Sequence, residues 1–156
     1  MKDYDIKIRN NSNIRVYGTK DNTIVFPADV KLDADHDQAD IDILKNTNAV
    51  IGLPTQVEHV ELNIEDVKLK LEDVVFEKCE IDAKGVIEID ITNVTGRIDV
   101  NMIGGAATLL APADYSFRTR CEGKGNNIVC ETAEDASAAN VIELNGKNST
   151  LTIKTK

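Results

Sequence analysis

The residues best equipped for chemistry are acidic. Asp33-Ala34-Asp35-His36-Asp37 sets carboxylates at alternate positions, which is how a calcium loop begins. Such a loop wants glycine at its sixth position and a bidentate glutamate at its twelfth. The chain offers Gln38 and Leu44 there. Asp33, Asp35 and Asp37 stand as a candidate metal site beside the reading of a solvated acidic loop. Two carboxylate pairs, Glu65/Asp66 and Glu72/Asp73, raise a second option. A glycosidase needs two carboxyls across a cleft, one of them with a raised pKa, and aromatic platforms help it hold sugar rings. With three Phe, three Tyr and no Trp in the chain, the pairs read better as polar corners.

Nucleophilic chemistry finds less support. His36 and His59 are the only histidines, and His59 lies in a strand-like run. Either could pair with Cys79, Cys121 or Cys130, yet no local signature of a Cys-His enzyme is present. There is no GxSxG elbow. Gly123-Lys124-Gly125 lacks the spacing and the following Ser/Thr of a phosphate loop and reads as a turn. The three cysteines are odd in number and form no CxxC, which argues against a disulfide framework or a structural zinc site. Cys79 alternates with Ile81 and reads as a small buried hydrophobe, while Cys121 and Cys130 could pair only if their strands are neighbours. The expectation is a non-enzyme without a cofactor.

The elements that must carry these residues are strands. Aliphatics alternate with polar residues in Tyr4-Asp5-Ile6-Lys7-Ile8, Ile41-Asp42-Ile43, Val60-Glu61-Leu62-Asn63-Ile64 and Val67-Lys68-Leu69-Lys70-Leu71. The same alternation returns in Ile87-Glu88-Ile89-Asp90-Ile91, Ile98-Asp99-Val100, Ile142-Glu143-Leu144 and Leu151-Thr152-Ile153. Period two puts one face in the core and the other in water. Turn chemistry separates the runs at Lys84-Gly85, Gly104-Gly105, Gly123 to Asn127 and Asn145-Gly146, the last of which predicts a hairpin. Residues 133–140 are the only helix-friendly stretch and are too short and polar for a core helix.

A degenerate repeat runs through the middle. Ile64-Glu65-Asp66-Val67, Leu71-Glu72-Asp73-Val74 and Ile91-Thr92-Asn93-Val94 share an aliphatic, two polar residues and a valine. The second and third begin 20 residues apart, and Cys79-Glu80-Ile81-Asp82 is answered by Ile98-Asp99-Val100-Asn101. A period near 20 with short strands fits stacked coils. The first copy, only 7 residues before the second, breaks the period.

Asn93-Val94-Thr95-Gly96-Arg97-Ile98 resembles a recurring corner of the bacterial putative-adhesin family, also called toastrack. Leu110-Ala111-Pro112-Ala113-Asp114-Tyr115-Ser116-Phe117 resembles that family's approach to a strand. Glu143 to Lys147 followed by Leu151 to Thr155 is similar to its closing strands. The resemblance is best over residues 87–156. It implies a stack of short β-coils and a surface or envelope-associated binding role, and it brings no catalytic residues.

The sequence thus predicts an all-β chain of stacked short strands, a β-solenoid (single-stranded β-helix-like) with little or no helix. Residues 1–156 read as one domain, with 1–55 an N-terminal cap or edge region and 56–156 the repeat coils. The expected function is a non-catalytic interaction or scaffolding module, adhesin-like; a carbohydrate-active β-helix and a calcium-stabilised surface domain are the alternatives. The expected partner is a protein or an envelope polymer. The net charge of −9 repels nucleic acid and anionic lipid, and no apolar run supports membrane insertion. Homo-oligomers through strand edges are a further expectation. No signal peptide opens the chain, so a cytoplasmic protein or an excised envelope-associated domain is expected.

Overall fold

The computed structural model describes residues 3–8, 13–28, 30–34, 38–43 and 48–156. The chain forms β1 (Asp3–Ile8), β2 (Asn13–Thr19), β3 (Val30–Ala34), β4 (Gln38–Ile43), β5 (Asn48–Pro54), β6 (Gln56–Glu65), β7 (Lys68–Lys84), β8 (Val86–Ile103), β9 (Ala106–Ala111), β10 (Arg118–Cys121), β11 (Asn127–Cys130), β12 (Val141–Lys147) and β13 (Thr150–Thr155). No helix occurs among the described residues, and 133–140 form turns and irregular backbone.

Nearly all strand pairs are parallel, which the alternating sequence alone does not demand. Parallel neighbours need a return path, and here each return path is itself a strand. β6 and the first half of β7 make one circuit, the second half of β7 and the first half of β8 the next. The second half of β8 with β9 makes a third. One face of the stack carries β4, β1, β6, the later halves of β7 and β8, β12 and β10 in spatial order. The other carries β5, β2, the early halves of β7 and β8, β9, β13 and β11. This arrangement is consistent with the expected solenoid.

The aliphatics of every second position meet between the two faces. Leu62, Ile81, Val100 and Leu144 form one buried row, and Leu71, Ile91, Leu109 and Ile153 belong to the facing side, all fully buried. Each such side chain contributes about 1.5–3 kcal/mol through loss of contact with water. Cys79 sits in this core, and burial, followed by the negative charges of Asp99 and Glu80, drives its thiol far above the ordinary range. It is an inert core residue.

The degenerate repeat acquires a geometric meaning. Leu71 pairs with Ile91 and Val74 with Val94, so the 20-residue copies are successive turns of the same corner. The copy at Ile64–Val67 is the opposite corner of the same circuit, 7 residues away because that is the width of one face. Asp66, Asp73 and Asn93 all take positive φ at these corners, of 48°, 55° and 53°. Short polar side chains tolerate that conformation by hydrogen bonding locally. A register shift between Val75 and Lys78, opposite Gly96, then shortens the offset from 20 to 19 residues.

Two expectations change. The predicted hairpin at Asn145-Gly146 does not form: both residues lie inside β12, and β12 and β13 pair in parallel with β8 and β9. Gly146 is needed for close approach, since a Cβ there would stand 1.9 Å from the Met102 carbonyl oxygen at φ +97°. The corner falls later, at Asn148, φ 53°. Within the N-terminal 55 residues, β1 and β2 are inner strands, each with neighbours on both sides. The end of the stack is instead β4, covered by antiparallel β3, and β5, bridged at Gly52 by Val25.

Candidate functional site

On the face that carries β6 and β12, the outward residues fall into rows along the stack, with neighbours about 4.8 Å apart. The central row aligns Asp5, Glu61, Glu80, Asp99 and Glu143, and ends on Arg120. A flanking row aligns His59, Lys78 and Arg97. The other flank aligns Asn63, Asp82, Asn101 and Asn145.

Carboxylates stacked at strand spacing repel unless something lies between them. Toward β12 that something is cationic. Arg97 donates to Asp99 at 2.7 Å and to Glu143 at 2.6 Å, and Lys78 and Arg120 approach the same carboxylates at 3.5 and 3.4 Å. Asp99 and Glu143 are both buried, so these bonds are charge-assisted and shielded. Desolvation works against the Glu143 charge, but Asn145, Arg97 and Arg120 outweigh it and hold the carboxyl below its ordinary range. Toward β1 the row has fewer cations. Asn101 donates to Glu80 at 2.8 Å and to Asp82 at 2.9 Å, and His59 reaches Glu80 at 3.6 Å. Glu61 shares a hydrogen bond with Asp82; that bond, burial, and the charges of Asp5, Asp82 and Glu80 push its carboxyl up to about 7.

Beside this face runs an open groove of about 760 Å³ along the stack. Its floor is the row Ile64, Ala83, Met102 and Gly146, and its rims are Asn63, Asp82 and Asn101 on one side and Glu65, Lys84 and Ile103 on the other. Ile103 is 74% exposed, an unusual position for a large aliphatic. The groove exists because small Ala83 and Gly146 alternate with larger Ile64 and Met102.

The residues singled out in the sequence are dispersed. Asp66 accepts from the Val86 amide at 2.8 Å and Asp73 from the Asn93 side chain at 2.9 Å, both as corner residues. Glu72 is paired with Arg15 and Lys70 on the opposite face. Asp33 lies in β3 opposite Asp40, while Asp35, His36 and Asp37 fall outside the described residues. Among the described residues no His, Cys, Asp and Glu cluster is arranged to hold a metal ion. His59 is an outward residue and Cys79 an inward one, so the two do not meet. Cys121 and Cys130 are free and exposed, on strands of opposite faces. Sequence reasoning missed the carboxylate row and the groove, because both depend on which strands are neighbours. The one signal available was the answer of Cys79–Asp82 to Ile98–Asn101, which aligns Glu80 with Asp99 and Asp82 with Asn101.

No protein-family profile matches the chain, and no curated protein does. Solved structures do. A "putative cell adhesion protein" from Clostridium sporogenes ATCC 15579 is similar over 99% of this chain and 93% of its own, with a TM-score of 0.61 at 12% identity. A "putative adhesin" from Bacteroides fragilis NCTC 9343 matches 100% of this chain and 93% of its own, with a TM-score of 0.41 at 12% identity. The likeness to the Clostridium protein is one of fold. It agrees with the resemblance read from residues 87–156, and it extends over the first half of the chain as well.

Proposed function

We propose that the chain is a non-catalytic interaction domain of the adhesion type, which holds an extended, hydroxyl- or amide-bearing polymer in the groove between Asn63-Asp82-Asn101 and Ile103. The groove itself carries the reading. It offers amide donors and carboxylate acceptors repeated at strand spacing over an apolar floor, and a linear partner lying along the stack meets the same chemistry at every step. A net charge of −9 favours a neutral or cationic partner over an anionic one. The name carried by the Clostridium relative agrees with such a role, and an envelope polymer is the partner class it suggests.

The test is sedimentation of the purified chain with isolated peptidoglycan sacculi, with a cytosolic extract as the competing partner. Co-sedimentation that weakens about tenfold in Asn101→Ala and Ile103→Asp supports the proposal. Equal retention of those variants would overturn it.

One observation favours the carbohydrate-active alternative: Glu61 and Asp82 form a carboxyl pair with one raised pKa at the lip of the groove. Their direct hydrogen bond leaves no room for a sugar between them, whereas glycosidase carboxyls stand about 5–10 Å apart. Release of reducing ends from envelope polysaccharide, abolished in Glu61→Gln, would establish the enzyme and displace the binding domain.

A further inference from the structure

The two ends of the stack differ. At one end β3 covers β4 and Val25 bridges β5. At the other, β10 has β12 as its one strand neighbour and β11 has β13. The Arg118 and Glu122 amides point inward, to Asn140 and Leu144, and those of Asn127 and Glu131 to Ser149 and Ile153. Along a strand successive peptide groups alternate in direction. Thr119 and Cys121 in β10, and Ile128 and Cys130 in β11, therefore aim their N–H and C=O groups away from the stack. Glu134 covers the Thr119 amide at 2.7 Å. The others form a row of unpaired strand edge, a template for another strand.

We propose that this end docks a second copy of the chain through a two-fold axis at Cys121, with β10 antiparallel to the partner's β10. Three features select that occupant. Only one end offers the open edge, so identical copies close into a pair and do not propagate head to tail. A two-fold at Cys121 sets its outward N–H and C=O against the same groups of the second copy, two mutual hydrogen bonds. It also places Arg120 of each copy across from Glu122 of the other, an opposite-charge cross-strand pair made twice. In the single chain Arg120 and Glu122 already lie 2.8 Å apart, so their alternation is oriented for this exchange. Cys121 aligns with Leu144 and Cys130 with Ile153, so the joint also closes the exposed end of the apolar core.

Edges four residues long limit the affinity to the micromolar class. Sedimentation velocity across the micromolar range should show a concentration-dependent dimer. Iodoacetamide should label Cys121 and Cys130 more slowly in the dimer than in the dilute chain. Cys121→Pro removes an outward amide that β12 does not use and should leave a folded monomer, judged by an unchanged circular dichroism spectrum. Glu122→Arg, which sets Arg against Arg120, tests the same joint without touching the backbone and should weaken dimerisation about tenfold. A monomer at every concentration would overturn the proposal, even if the edge captured a strand of another protein. A dimer that survives both substitutions, or that leaves both thiols as reactive as in the monomer, would overturn it as well.

Discussion

At the scale of single residues, the molecule depends on positions where a side chain would collide with the next strand. Gly146 is the clearest. Its φ of +97° and its approach to the Met102 carbonyl leave no space for a methyl group. Gly146→Ala is expected to cost about 2–3 kcal/mol, read from the urea midpoint. Glu61 acts through charge. Its pKa is raised to about 7 from 4.5, so the folded chain binds its proton more tightly than the unfolded chain does. The stability this contributes is fully present below about pH 4.5 and is lost as pH rises through about 7. Glu72 and Glu143 have the opposite sign, and their contribution is lost in acid. The melting temperature should therefore fall between about pH 5 and pH 8, and Glu61→Gln should flatten that slope while leaving the acid limb in place.

At the scale of elements, each strand is stabilised chiefly by its two neighbours, as in other stacked-repeat folds. Ile89→Ala, in an inner strand flanked on both sides, should cost about 3 kcal/mol. Hydrogen exchange should be slowest in β7 and β8 and fastest in β10 and β11, which have one neighbour each. The strands themselves were legible, since period two marked the buried aliphatics from Tyr4 to Ile153. Their pairing was legible only where the chain repeats itself, between residues 64 and 101. The Asn145-Gly146 signal misled because a glycine required by a neighbouring carbonyl has the same letter as one required by a turn. The groove was not legible, since Ala83 and Gly146 are ordinary residues until they stand in one row.

At the scale of the whole molecule, order along the chain and order in space part company at both ends. β1 and β2 lie between the later-made β4/β5 and β6/β7 circuits. Deleting residues 1–22 would remove an inner layer and expose strand edges on both sides of the gap. That variant is expected to aggregate, with an early peak on size exclusion and loss of a cooperative melt. Charge is also arranged globally. The cationic row beside Asp99 and Glu143 neutralises the part of the carboxylate row nearest β12, so the unbalanced part of that row lies around Glu61.

The position of β12 and β13 has a consequence for biosynthesis. They sit between β8/β9 and β10/β11, yet they are translated after β10 and β11. A nascent chain that has reached residue 130 holds a segment with no surface to land on. Assembly from the amino terminus must pause there until the ribosome has passed residue 155. The last pair of strands then acts as a keystone, and its arrival completes two layers in one step.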